Sequence, residues 1–200
     1  MNKNGKYNSK KFGKGKNDEY YTPPEPVKAI QRYNIHKEAV IWCPFDTEYS
    51  EFVKLLSRTN KVIFSHKDQG INSGKDFFKY EPDNWDIMIS NPPFTNKAHF
   101  FERALKLGKP FALLMTVAWL NDARLFKLFL QYKKELQFMW FTERIEFFRD
   151  GYATTDRPSF ASTFICCDIL PVDNVIVNLI DYKNKQQITM FDGFGKINNV

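Results

Sequence analysis

Residues 86–94 read Asp-Ile-Met-Ile-Ser-Asn-Pro-Pro-Phe, and no other stretch of the 200-residue chain constrains its fold as strongly. Asp86–Ser90 has the length and apolar content of a buried strand. Asn91-Pro92-Pro93-Phe94 ends it abruptly, because each proline fixes its own φ, supplies no N–H and pushes the preceding residue toward extended backbone. The Pro92 carbonyl is thereby held as an acceptor in a rigid frame, and the Asn91 amide oxygen is a second acceptor beside it. Two adjacent acceptors suit a substrate NH₂ group, which offers two protons. Phe94 adds a flat apolar surface on which a base can stack. Asn91, Pro92 and Phe94 are the candidate catalytic residues, with Pro93 beside them on the substrate side.

Around this loop strand and helix signals alternate. A short helix is expected from a Thr22 cap to about Tyr33, since proline is tolerated in a first turn. Val40–Trp42 reads as a buried strand, Ser50–Arg58 as helix, Lys61–Ser65 as a second strand and 69–75 as a loop. Lys97–Leu107 is helical with Gly108 as its C-cap. Phe111–Val117 is strand, Asp122–Tyr132 amphipathic helix and Leu136–Phe141 strand. Ser162–Asp168 and Val175–Asp181 read as strands paired antiparallel with each other. The pattern predicts an α/β three-layer sandwich with a mainly parallel, Rossmann-like sheet and antiparallel C-terminal strands. One domain is expected over 20–200. In such sheets ligands bind beyond the carboxyl ends of the strands, which points to the turns after Trp42 and Ser90.

Charge is distributed unevenly. Lys3, Lys6, Lys10, Lys11, Lys14 and Lys16 account for the whole excess of 29 basic over 23 acidic residues. An arm over 1–19, rich in Lys, Asn and Gly, is expected to be disordered when free. It serves either salt-sensitive phosphate attraction or solubility. No run approaches the ~18 apolar residues of a membrane span, and no signal peptide is evident, so the cytoplasm is the expected location. Cys43 stands alone, and Cys166 and Cys167 should face opposite sides of a strand. With no CxxC pair and three scattered histidines, no metal site is expected.

Residues 86–94 resemble the amine-methylating motif of N6-adenine DNA methyltransferases, (Asp/Asn/Ser)-Pro-Pro-(Tyr/Phe), and the likeness to the small phage-type enzymes extends over roughly 20–170. It implies S-adenosylmethionine as cofactor and DNA as partner in preference to RNA. A host cytoplasm would be the location if the chain is phage-encoded. Tyr21-Thr22-Pro23 is similar to the N-terminal motif that helps close over the cofactor. Pro44-Phe45 matches the family's Pro-Phe at the end of the first strand. Gly74-Lys75-Asp76-Phe77-Phe78 resembles the segment at the cofactor's adenine, which implies Asp76 as acceptor from the adenine amino group and Phe77 or Phe78 against the ring. Arg157-Pro158-Ser159-Phe160 is like a late motif near the target base, which places Arg157 and Phe160 on the substrate side. Asp68 is the nearest acid for the cofactor ribose. With no separate recognition domain in view, target choice falls to loops or to a protein partner.

The chain departs from the family at Cys43–Phe52, where no glycine follows the first strand. Side chains stand where glycine ordinarily leaves room for the methionine part of the cofactor. In one reading the loop is divergent, with Asp46 or Glu48 meeting the cofactor's ammonium and Thr47 or Ser50 its carboxylate. In another the cofactor site is lost and the fold survives as a binder of nucleic acid or protein. A third reading is methylation of a protein glutamine, which also uses an Asn-Pro-Pro-Tyr-like loop.

Overall fold

In the computed structural model the described residues are 20–33, 38–93, 95–149, 152–153 and 160–183, with backbone alone at 149 and 152–153. The expected basic arm, Phe94 and Arg157 lie outside them. The elements run α1 (Pro24–Arg32), β1 (Val40–Cys43), α2 (Glu51–Leu56), β2 (Lys61–Phe64), β3 (Ile87–Ser90), α3 (Lys97–Leu107) and β4 (Phe111–Thr116). A 3₁₀ turn at Val117–Asn121 leads to α4 (Ala123–Tyr132) and β5 (Gln137–Phe141). Then come β6 (Phe148–Arg149), β7 (Tyr152–Ala153), β8 (Ser162–Cys167), β9 (Asn174–Val177) and α5 (Leu179–Lys183).

Seven strands form one sheet in the order β2-β1-β3-β4-β8-β5-β9, and β6 and β7 make a separate hairpin. β2, β1, β3 and β4 are mutually parallel, as are β5 and β9. β8 runs against both of its neighbours, β4 and β5. From β1 the chain steps outward to β2 and then crosses back to β3 on the other side. The direction of winding therefore reverses between β1 and β3, where an open α/β sheet leaves a crevice.

Two apolar layers close the sheet. One face packs Val27, Ile30, Phe52 and Leu56 of α1 and α2, with Leu179 and Tyr182 of α5, against Ile41, Ile89 and Phe164. The other packs Phe101, Ala104, Leu125 and Phe129 of α3 and α4 against Met88, Phe111 and Ile165. Cys166 joins the first layer and Cys167 the second, as strand alternation requires. The entry to β3 is pinned to β1: the Asp86 carboxylate accepts the Val40 N–H at 2.7 Å, and the Asp86 N–H donates to the Val40 carbonyl at 2.8 Å. α3 ends at Gly108 in the left-handed conformation, and α4 starts from Asp122, whose side chain accepts the Arg124 N–H.

Three sequence-based expectations need correction. Thr22 does not cap α1; Pro23 occupies the cap position and makes no side-chain cap bond. β9 does not pair with β8, because β4 and β5 already occupy both edges of β8 and only the outer edge of β5 is open. The segment after Val177 turns into α5 instead of continuing as strand. Glu143 accepts the Leu179 N–H and Asn178 the Ile180 N–H, while Leu179 and Tyr182 bury one helical stripe. Among the described residues no helix is long and apolar enough to cross a membrane.

Candidate functional site

The carboxyl ends of β1 and β3 flank the switch point, and the residues there divide into a side around Asn91 and a side around the loop after Cys43. Asn91 follows β3 directly. Its Nδ2 donates to the Tyr20 carbonyl at 3.1 Å and to the Thr22 hydroxyl oxygen at 3.2 Å. A carbonyl can only accept, so the nitrogen must face Tyr20 and the oxygen must face the other way. That oxygen, Oδ1, is buried and has no hydrogen-bond partner among the described residues. An unsatisfied buried polar atom costs about 1–3 kcal/mol, which is a reason to look for what fills it. Pro92 is buried and Pro93 half-buried beside it.

Residues 20–22 form a strap over this side. Tyr21 pairs with Phe148 through two backbone bonds, N–H to carbonyl, of 2.8 and 2.9 Å. The Tyr21 hydroxyl donates to Gln69 Oε1 at 3.3 Å. The Tyr20 ring meets Phe147 and Phe160 edge-on at 6.0 and 6.1 Å between centroids. Phe160 is thus brought next to the strap that holds Asn91.

On the other side, Pro44 is buried and Asp46 is only 6% exposed. The hydroxyls of Ser50 and Ser90 both donate to the Asp46 carboxylate, and the Asp46 N–H donates to the Ser65 carbonyl. Asp46 therefore ties together the ends of β1, β2 and β3 and the start of α2. Both of its oxygens thus accept a hydroxyl beneath the loop. Ser50 is engaged as well, accepting the Phe52 N–H as the α2 cap at 3.2 Å. Glu48 Oε2 accepts the Ile71 N–H at 3.1 Å, and Thr47 is buried against Gly70. Asp68 is exposed; its N–H and that of Gln69 both donate to His66 Nδ1, so this nitrogen is unprotonated and the imidazole fastens the loop. Burial lowers the His66 pKa against the opposing pull of Asp68.

Asp76 lies on the same turn as two rings of different character. Its Oδ1 accepts the Phe78 N–H at 3.0 Å, and Lys67 stands 3.6 Å from Oδ2. Phe77 is 3% exposed, packed among Phe45, Trp42 and Phe100. Phe78 is 43% exposed and stacks on Phe100 at 5.1 Å and 22°. The ring with a face open to a ligand is Phe78. Sequence reasoning missed Tyr20 and Ser90, since a backbone carbonyl and a hydroxyl buried at a strand end leave no pattern.

Two expected outcomes arise from this side. Burial, outweighing the Ser50 and Ser90 hydroxyls, pushes the Asp46 carboxyl from 3.8 up to about 6. The folded state then binds the proton more tightly than the unfolded chain. The contribution of Asp46 is most favourable below pH 4 and declines as pH rises to about 6, by a total on the order of 3 kcal/mol. Asp46→Asn removes this dependence, so urea unfolding should show the variant gaining on the wild type across that window. A constant difference between the two proteins would contradict the assignment. The second concerns Gly70, at φ +75, where an added Cβ would lie 2.6 Å from Glu48 Oε2 and 3.0 Å from Thr47 Cβ; Gly74, at φ +79, meets nothing within 4 Å. Both alanine variants should lose about 1–2 kcal/mol for the left-handed backbone, and Gly70→Ala measurably more in the same urea assay.

No protein-family model matches the sequence, and no curated protein matches it. Solved structures do. One, from Vibrio vulnificus YJ016, is described as a modification subunit of a type I restriction enzyme; it superposes with a TM-score of 0.54 at 11% identity, over 82% of this chain and 48% of that one. Another, from Listeria monocytogenes, is described as a class I S-adenosylmethionine-dependent methyltransferase, with a TM-score of 0.53 at 12% identity over 84% of this chain and 68% of that one. The chain has the Rossmann-like fold of the class I methyltransferases. It spans about half the length of the Vibrio protein. At these identities the likeness is one of fold.

Proposed function

We propose that the protein transfers a methyl group from S-adenosylmethionine to the N6 amino group of adenine in DNA. The observation that carries this reading is the buried, unpartnered Oδ1 of Asn91, whose orientation is fixed by the two bonds of its own nitrogen. Asn91 Oδ1 and the Pro92 carbonyl accept the two protons of the amine. Held so, the nitrogen moves toward tetrahedral geometry and its lone pair leaves the ring system to face the methyl donor. No general base is needed to activate the amine. As the N–CH₃ bond forms and the S–CH₃ bond breaks, S-adenosylhomocysteine leaves, and the methylated nitrogen then loses its extra proton to solvent. The rate comes from positioning and from preorganised acceptors. In a duplex the adenine is first turned out of the stack. Phe160, beside the strap, offers a ring to the extruded base; for Phe94 and Arg157 the proposed substrate-side roles rest on the sequence motifs alone.

The donor, when bound, supplies an electrophilic methyl group. The residues on the β1 side fit such a molecule at its adenine end, where the Asp76 carboxylate and the open face of Phe78 stand on one turn. At the methionine end the half-buried Glu48 takes the ammonium role in preference to Asp46, both of whose oxygens accept hydroxyls. Among the described residues only Oε2 of Glu48 is engaged, by the Ile71 N–H. Pro44 completes this side, and the Tyr21 hydroxyl reaches toward it from the strap through Gln69. DNA is favoured over RNA by the likeness of the motifs to phage DNA enzymes and by the restriction-modification neighbour.

A second reading has a specific observation behind it: Thr47 and Glu48 already pack on Gly70 and Ile71, in a loop without glycine. In that reading the fold binds nucleic acid without a methyl donor. Calorimetric titration with S-adenosylmethionine separates the two. Saturable binding supports the enzyme, while absence of heat at millimolar ligand, with single-stranded DNA still bound, supports the silent binder.

A further inference from the structure

Asn91 can serve an amine only if its amide stands one way round. The oxygen and nitrogen of an amide are nearly equal in size, and a half-turn about the last side-chain bond exchanges them. In the wrong orientation the side-chain NH₂ would stand against the amine proton that the oxygen should accept, donor against donor. The rigid prolines that follow Asn91 fix the backbone but do not choose between these orientations.

The N-terminal strap makes that choice. Both Nδ2 protons of Asn91 are taken, one by the Tyr20 carbonyl and one by the Thr22 hydroxyl oxygen. Only the oxygen is left with unused capacity, and it is the atom found unpartnered. The Thr22 hydroxyl is 7% exposed as part of its residue and is not spent on capping α1, the task its sequence position suggests. The Tyr20 carbonyl is held from three directions. Its ring is wedged against Phe147 and Phe160, the next residue is bonded twice to Phe148, and the Tyr21 hydroxyl reaches Gln69.

We infer that Thr22 is a positioning residue of the methyl-transfer site, which together with the Tyr20 carbonyl locks the Asn91 amide with its oxygen toward the substrate amine. Thr22 acts through Asn91 and touches neither reacting atom. The inference rests on the proposed function for its kinetic consequence, but the lock itself is a property of the free protein.

The test uses the full chain with two substitutions. Thr22→Val keeps the shape and removes the acceptor; Thr22→Ser keeps the acceptor. For labelled methyl transfer to DNA, Thr22→Val should lower kcat by ~10- to 100-fold, the scale of a small misplacement of a catalytic group, with KM for DNA and for S-adenosylmethionine little changed. Thr22→Ser should recover most of the loss. A general structural defect would instead raise KM or lower thermal stability in both variants. In parallel, ¹⁵N spectra of the unliganded protein report the Asn91 side-chain amide, whose protons should exchange with solvent faster in Thr22→Val than in wild type or Thr22→Ser. Unchanged exchange and shifts in Thr22→Val would overturn the inference, as would an unchanged kcat. If the wild type transfers no methyl group, the proposed function fails and the amide spectra alone decide whether Thr22 locks Asn91.

Discussion

Asn91→Ala should reduce kcat for methyl transfer by ~100-fold or more, the usual cost of removing one preorganised transition-state contact. The loss belongs in kcat because the bond to the amine strengthens only as the nitrogen becomes tetrahedral; KM for DNA should move little. Alanine also frees the Tyr20 carbonyl and the Thr22 hydroxyl that Asn91 now satisfies. Asn91→Asp sharpens the test. Aspartate is an alternative at this position in the motif that the loop resembles, yet here it would set a carboxylate oxygen against the Tyr20 carbonyl, acceptor against acceptor. The aspartate variant should therefore lose most of its rate as well. Steady-state rates with labelled donor on single-stranded and duplex DNA measure both variants. Full activity in Asn91→Ala would show that the amide oxygen does not hold the amine.

The second large effect separates two adjacent rings. Phe77 is enclosed by Trp42, Phe45 and Phe100, with the Arg103 guanidinium 5.4 Å from its centroid. Phe77→Ala opens a cavity in the apolar layer beneath α3 and should cost about 3–5 kcal/mol, read as a shift of the urea midpoint. Phe78, resting on Phe100 with its other face exposed, leaves no comparable void. Phe78→Ala should change stability by less than about 1 kcal/mol and act on donor affinity instead. Calorimetry on both variants checks the division of roles. Equal destabilisation by the two substitutions would mean that Phe78 is core, leaving the adenine end of the cofactor without its proposed platform.

These residues also show what a single sequence makes legible. The strand into Asn91, the helix Lys97–Leu107 and its Gly108 terminus follow from local periodicity and turn chemistry, and the structure has them at the expected places. The face division of Cys166 and Cys167 follows from the two-residue repeat of a strand. Pairing of β8 and β9 was not legible, because both segments are compatible with antiparallel partners and only the three-dimensional order shows that β5 lies between them. α5 was hidden by a short apolar run that suits either strand or helix until Glu143, far away in the chain, accepts its first N–H.

At the site, the limits are of the same kind. Asp46 sits where an acid could meet an ammonium, but its fate depends on Ser90, 44 residues later, whose hydroxyl turns toward it at the end of the neighbouring strand. Thr22 carries the local signature of a helix cap, and a partner 69 residues away claims its hydroxyl instead. Phe77 and Phe78 are indistinguishable by composition; the turn that follows Asp76 buries one and exposes the other. In each case long-range hydrogen bonding or packing overrides a local preference.

The central claim is that the amine of adenine is the methyl acceptor. The most direct test incubates the wild-type protein with labelled S-adenosylmethionine and adenine-containing DNA, digests the product to nucleosides and separates them. The label should co-elute with N6-methyldeoxyadenosine. Label in another nucleoside, or none in DNA while the protein binds S-adenosylmethionine, would contradict it.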